Sequence, residues 1–228
     1  MRILLVSATI FEIAPTLNWL EEHFQVTDGG IFENNGLSVF PLVTGVGLAA
    51  TAFHVGQFLA INQPGLSINA GIAGALDKDL RLGDVLNVVS ERFGDLGVEE
   101  ADGRFTDLFE LGLMEKDTPP FSKNRLWNRA SEQAGFLPAA HGLSVNKVHG
   151  FPPSIDAIRA KYPDAQLESM EGAAFFFACL SAKIPFLEVR SISNFVEARN
   201  RERWNLPLAI NNLNRTLIAL FEQMVPPR

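Results

Sequence analysis

The sequence predicts an α/β fold, a mixed or parallel sheet flanked by helices, and two observations carry that prediction. Runs of β-branched and apolar residues alternate along the chain with longer stretches of helical periodicity, the habit of sheets covered by helices. The 228 residues, 47% of them hydrophobic, suffice for one sizeable core but not for two, so residues 1–228 are expected to form a single domain.

Each element follows in order. Arg2 to Ala8 reads as a central strand; it is too short to span a bilayer and lacks a cleavage-site pattern. Ile13 to His23 is the helix after it. Leu37 to Val43 is a strand that leads through Gly45-Val46-Gly47 into a helix from about Ala49 to Asn62. Leu66 to Asn69 is a buried strand, and its exit, Ala70 to Ala75, is expected to be a small-residue loop where a ligand can approach the backbone. Asp84 to Ser90 is a further strand. Between Gly94 and Lys147 the pattern weakens, with Pro119-Pro120 and several glycines, so loops are expected there plus a helix from about Asn124 to Ala134. Gly142 to Val148 reads as a strand, Glu171 to Ala182 as a buried helix, Phe186 to Ile192 as a strand and Pro207 to Met224 as the closing helix.

A formal net charge of -7 argues against nucleic acid and anionic membrane as partners, since both need neutralising Lys and Arg. A small-molecule partner is expected instead. Cys179 is the single cysteine, so no intramolecular disulfide and no thiolate zinc cage can form, which suits a reducing cytoplasm. His23, His54, His141 and His149 show no ligand spacing, and no metal is expected. Phe175-Phe176-Phe177 lies inside an apolar helix and reads as core.

Gly45-x-Gly47-x-x-Ala50 has the spacing of a dinucleotide fingerprint, but such a fingerprint follows the first strand and needs an acidic residue closing the next one. Here that strand ends at Asn69-Ala70. A tight strand-to-helix turn explains the glycines without a cofactor, and none is expected.

Five features then occur in a telling order: Glu12 after the first strand; Asn69 to Leu76 followed by Gly83-Asp84-Val85; Met170-Glu171-Gly172-Ala173; Arg190 to Asn194; and Ser193-Asn194-Phe195-Val196-Glu197 with Arg199-Asn200-Arg201 and Trp204. Together they resemble the nucleoside phosphorylase and nucleosidase superfamily over nearly the whole chain, and within it the futalosine hydrolase family. The resemblance implies a three-layer α/β sandwich with a mixed, partly barrel-like sheet, N-glycosidic bond cleavage, no cofactor, and a homo-oligomer in which a neighbouring subunit completes the 5′ slot.

The chemistry can be argued from the residues themselves. Breaking an N-glycosidic bond develops positive charge on the ribose and negative charge on the departing base, so an anion is needed at the sugar and donors at the base. Glu171 suits the sugar, accepting from two vicinal hydroxyls, with Met170 packed on the ribose face; the plainer alternative is a carboxylate favoured by a helix start. Asn194 suits the base, because an amide NH2 can donate toward both N7 and O6 of a 6-oxopurine such as hypoxanthine; the plainer alternative is an Asn capping its own turn. In matching nucleosidases that act on adenine nucleosides, this position resembles an Asp. Glu12 takes, by resemblance, the role of general base toward water, and as a lone carboxylate near a helix start it would mean nothing. Phosphorylases of the family place an Arg and a Ser where this chain has Asn69 and Ile72, which favours hydrolysis.

Ala73 and Gly74 are expected to offer backbone to the substrate and Val148 and His149 to line the purine edge, and Phe195 adjoins Asn194. The carboxyphenyl ketone that futalosine carries beyond its 5′ carbon calls for a cation and an aromatic ring, for which Arg199 and Trp204 are candidates, against a solvated basic turn or subunit interface. A purine phosphorylase, an adenine-type nucleosidase and a silent nucleoside-binding protein remain open alternatives.

Overall fold

The structure is a computed structural model that describes residues 1–225, and the side chains of all of these except Gln133 and Ala134. In chain order the elements are β1 (Arg2–Ser7), α1 (Ile10–His23), β2 (Gln25–Val26), β3 (Phe32–Asn34), β4 (Leu37–Val43), α2 (Leu48–Ile61), β5 (Leu66–Ala75) and β6 (Val85–Glu91). There follow β7 (Gly97–Glu99), β8 (Phe105–Asp107), β9 (Leu126–Trp127), α3 (Arg129–Ala134), β10 (Ala139–Ser144), α4 (Pro152–Lys161), β11 (Leu167–Ser169), α5 (Gly172–Ala182), β12 (Phe186–Phe195) and α6 (Leu206–Met224). A 3-10 turn occupies Arg201–Arg203.

The main sheet runs β11-β10-β6-β12-β5-β1-β4-β3-β2, and β11 also pairs antiparallel with β5. That extra pairing closes five strands, β11, β10, β6, β12 and β5, into a barrel-like ring, while β1 to β4 extend as an open wing. The sheet is mixed: β5 is parallel to β1 and β12, whereas β12 is antiparallel to β6. Helices cover both sides. On one, Val55 and Leu59 of α2 and Phe175 and Phe176 of α5 pack on Leu4, Val6, Ala73 and Ile192. On the other, Ile13 and Leu20 of α1 and Leu213, Leu217 and Phe221 of α6 pack on Ile3, Leu5, Ile68 and Val189. Strands apolar on both faces are what a sheet buried between helix layers requires.

Several expectations are corrected. Ala70 to Ala75 is not a loop: β5 continues through it, because Gly71, Ala73 and Gly74 are paired along β12 by backbone bonds for which small side chains are no obstacle. β12 likewise runs on to Phe195 rather than ending at Ile192. β10 stops at Ser144, leaving Val148 and His149 in a loop, and the helix expected from Asn124 is only Arg129–Ala134. Pro152–Lys161 forms α4, which opens on two prolines in the first helical turn, where a missing N–H costs nothing. Phe177, unlike its two neighbours, is 40% exposed. Among the described residues no helix is long and apolar enough to cross a membrane.

Candidate active site

Strand ends and helix starts bring three carboxylates and one arginine together. At the exit of β1, the Glu12 side chain reaches back over the first turn of α1: its Oε2 accepts from Thr9 N (3.0 Å), Thr9 Oγ1 (2.9 Å) and Ser7 Oγ (3.2 Å). Its Oε1 accepts from Ile72 N of β5 at 3.1 Å. The helix-start role is therefore real, and it also fixes the carboxylate beside β5. From the far end of the chain, buried Asn214 of α6 donates to Glu12 O (2.8 Å) and accepts from Thr16 N (3.0 Å), tying α6 to the start of α1.

Glu171 is the residue preceding α5, not part of its first turn, and is 5% exposed. Its Oε1 accepts from Gly47 N at 3.2 Å, and its Oε2 lies 3.5 Å from Arg190 Nη1. The glycine turn that mimics a dinucleotide fingerprint thus has a local use. Gly45 and Gly47 adopt φ of 83° and 103°, open to glycine, and the turn aims a helix-start amide at a carboxylate. Burial raises the Glu171 pKa above the ordinary carboxylate value; Arg190 and the Gly47 amide work against this, and Glu12 adds to it.

Arg190, on β12, is fully buried, its Nε donating to Glu188 Oε1 at 2.7 Å. Burial disfavours its charge, but Glu188, Glu171 and Glu12 outweigh that and hold its pKa above the usual arginine value. Its neighbour across the sheet is Gly71, where a Cβ would sit 2.3 Å from Arg190 Nη1 and 2.9 Å from Glu12 Oε1. A glycine there is the condition for the guanidinium and the Glu12 carboxylate to share this space.

At the other end, the pairing of β12 with β5 slips between Ile192 and Asn194, leaving Ser193 as the extra residue of a bulge. The Ser193 hydroxyl lies 2.8 Å from Asn194 Oδ1 and 3.2 Å from Ala73 O. Asn194 Nδ2 donates to Phe195 O at 3.0 Å and stands over Gly74, at 3.1 Å from where a Cβ would be. One Nδ2 hydrogen remains for another acceptor, so the expected double donation to N7 and O6 reduces to a single shared one.

The other expected residues divide. Ala73 and Gly74 lie beside Asn194, and Met170, half-buried, bridges β11 and α5 next to Glu171. Val148 is exposed, and the His149 ring and backbone N–H both contact the Glu168 carboxylate. Phe195 is half-buried and packs on the core. Arg199 is exposed; its N–H donates to Gly150 O at 3.1 Å and its guanidinium stands 5.3 Å from the Trp204 ring centre. This joins the Arg199 turn to the His149 loop. Arg203 pairs instead with Glu197. Sequence reasoning missed the roles of Glu188, Arg190, Ser193 and Asn214. The available signal was two charges two residues apart, Glu188 and Arg190, in an otherwise uncharged strand, which puts both on one buried face. Among the described residues, no group of three or more His, Cys, Asp or Glu side chains is arranged to hold a metal ion.

Comparison with known proteins agrees with this architecture. The family model described as the phosphorylase superfamily matches residues 2–222. A futalosine hydrolase of Acidothermus cellulolyticus is 34% identical over 183 residues, covering 78% of this chain and 73% of that protein. A 5′-methylthioadenosine/S-adenosylhomocysteine nucleosidase of Glaesserella parasuis is 28% identical over 234 residues, covering 97% and 98%. Among solved structures, the futalosine hydrolase of Helicobacter pylori superposes with a TM-score of 0.77 at 18% identity, covering 98% of each chain. The nucleosidase of Neisseria meningitidis, in complex with methylthio-immucillin-A, gives 0.74 at 18% identity, covering 97% of this chain and 99% of that one. With its barrel-closed sheet, its buried carboxylates at the strand ends and a match spanning nearly its whole length, this chain belongs to the phosphorylase superfamily.

Proposed function

We propose that the protein is a nucleosidase that hydrolyses the N-glycosidic bond of futalosine, releasing hypoxanthine and dehypoxanthine futalosine, a step of the futalosine route to menaquinone. The observation that carries the choice of base is Asn194. Its oxygen already accepts from Ser193, so the group it offers a purine is an N–H, suited to N7 and O6 of hypoxanthine. Hypoxanthine can leave as an anion delocalised onto O6, and one shared donor stabilises that charge without a full general acid.

At the sugar, Glu171 accepts from the ribose hydroxyls and gains in strength as the ring becomes cationic. Glu12 takes the proton of the attacking water. Hydrolysis is favoured over phosphorolysis because the buried cation at the site, Arg190, is bonded to Glu188 and faces Glu171, and a phosphate would meet Glu12. The 5′ end of the substrate is assigned to Arg199 and Trp204, with a second copy of the chain completing that slot.

A methylthioadenosine/adenosylhomocysteine nucleosidase is the second reading, supported by the full-length similarity to the Glaesserella protein. Incubation with futalosine, inosine and methylthioadenosine, with and without phosphate, followed by quantification of released base and sugar, separates the two. Release of hypoxanthine and free sugar from futalosine, independent of phosphate, is expected. Adenine release from methylthioadenosine with futalosine untouched would replace this reading by the second.

A further inference from the structure

Beneath the Glu171–Arg190 pair lies a second pair of carboxyl groups. Glu91, at the end of β6, and Glu188, on β12, are both wholly buried. Glu91 Oε2 accepts from Ser144 Oγ at 2.9 Å, while Glu91 Oε1 and Glu188 Oε2 have no hydrogen-bond partner among the described residues. The two side chains meet at Gly172, the first residue of α5: a Cβ there would stand 2.2 Å from Glu91 Oε1 and 2.6 Å from Glu188 Oε1. A Cβ on Gly142 of β10 would likewise stand 2.1 Å from Glu91 Oε1. Two glycines thus hold open a space that one carboxyl group fills, and neither has the positive φ that would explain it otherwise.

Charge counting sets the state of this pair. Glu12, Glu171, Glu188 and Glu91 surround Arg190, and four buried carboxylates on one guanidinium would leave three uncompensated charges out of water. One proton relieves this most directly at Glu91, which lacks a bonded cation. Burial and then the charge of Glu188 push the Glu91 carboxyl well above the ordinary carboxylate range. Glu188 has Arg190 Nε at 2.7 Å and is the better-held anion.

We propose that Glu91 and Glu188 are positioning residues: a carboxylic acid on Glu91 donates to the Glu188 carboxylate, which in turn holds Arg190 at its distance from Glu171. By drawing the guanidinium toward itself, Glu188 leaves Glu171 only a 3.5 Å contact with the cation, so that carboxylate stays free to accept from ribose. The donor–acceptor chain runs Ser144 to Glu91 to Glu188, and Arg190 donates into it from the other side. The groups facing Glu171 are Arg190 and Glu188 from β12, Glu12 from α1 and the Gly47 amide before α2, with Glu91 one step behind. Removing the Glu188 charge is therefore expected to let Arg190 approach Glu171 more closely and so to lower the Glu171 pKa.

The kinetic part rests on the nucleosidase reading, and the test separates the two. Infrared difference spectra of the intact wild-type protein are expected to show a protonated-carboxyl band that Glu91→Gln removes. Absence of the band, or its persistence in Glu91→Gln, overturns the proposal whatever the substrate proves to be. With whichever purine nucleoside the wild type cleaves, Glu188→Gln is expected to lower kcat by about a hundredfold, leave KM within about threefold, and move the acid limb of the kcat/KM profile to lower pH. Glu91→Gln, which keeps a donor toward Glu188, is expected to cost much less than Glu91→Leu. Equal losses in these two variants, or an unmoved acid limb in Glu188→Gln, would also overturn it. A wild type that cleaves no purine nucleoside would sink the functional reading and leave the infrared result to decide the carboxyl pair.

Discussion

The Glu171 end and the Arg199 end of the candidate site are built from opposite materials. Around Glu12, Glu171 and Arg190, charge is buried and each group is tied to elements distant in sequence: β1, the turn before α2, β5, β12 and α6. Around Arg199 and Trp204, charge is exposed and held by a stacking contact and one backbone bond to Gly150. On the proposed function, the difference divides reaction from selection. Buried charges fix geometry at a high cost in desolvation, which suits a transition state common to many nucleosides. An exposed turn is cheap to vary, and it suits recognition of a substituent that differs between substrates.

The largest effect is expected at the buried end. On the proposed function, Glu171→Gln keeps shape but removes the anion set against the developing ribose charge, and should lower kcat by roughly a thousandfold, about 4 kcal/mol of barrier. Because burial raises the Glu171 pKa and the proposed role needs the ionised form, activity in the wild type should fall as pH drops, beginning above the range of an ordinary glutamate. Steady-state kinetics across pH check both; a variant with wild-type turnover would mean that the buried end does not carry the chemistry. Next comes Asn214→Leu. It removes the buried amide bonded to Thr16 N, Thr16 Oγ1 and Glu12 O and should cost about 3 kcal/mol in denaturant unfolding, with a fall in kcat because the tie between α6 and the Glu12 turn is lost. Lost stability with unchanged kcat would confine Asn214 to a structural role.

The same contrast explains what was legible in the sequence. The apolar strands and helices were readable because each carries its own periodicity, and Leu37–Val43 keeps its predicted bounds. Glu12, Glu171 and Asn194 were singled out through motif order, and the structure sets Glu12 and Glu171 together around Arg190. The i, i+2 spacing of Glu188 and Arg190 was a local signal, but the meeting of Arg190 with Glu12 was hidden, since it depends on Gly71 of β5 lying opposite Arg190, a fact of register and not of local sequence. The misreading of Ala70–Ala75 as a loop has the same root: small residues mark close approach, and here what approaches is the Arg190 guanidinium. Asn214 lies 202 residues from the backbone it clamps, beyond the reach of any local pattern.

Between the two ends sits Asn194, where an intermediate effect is expected. On the proposed function, Asn194→Asp replaces the N–H offered to the base by a carboxylate oxygen that repels O6 of a departing hypoxanthine and, once protonated, can donate to N7 of adenine. The ratio of kcat/KM for inosine over adenosine should fall by about tenfold, or roughly 1.4 kcal/mol of discrimination. Competition assays with both nucleosides read this ratio directly. An unchanged ratio would move base selection elsewhere, with the backbone of Ala73 and Gly74 as the nearest alternative.

The smallest effect belongs to the exposed end. If Arg199 meets a carboxylate at the 5′ end of the substrate, Arg199→Ala should raise KM for futalosine by about fivefold, the yield of a solvent-screened charge-assisted contact of around 1 kcal/mol, and leave kcat nearly unchanged. For inosine, which has no such carboxylate, KM should not move. The salt dependence of KM sharpens the point, since screening weakens an exposed pair and leaves a buried one largely intact. A drop in kcat with both substrates would instead mean that Arg199, through its bond to Gly150 and its stacking on Trp204, braces the His149 loop, and that the division between a reacting end and a selecting end is drawn in the wrong place.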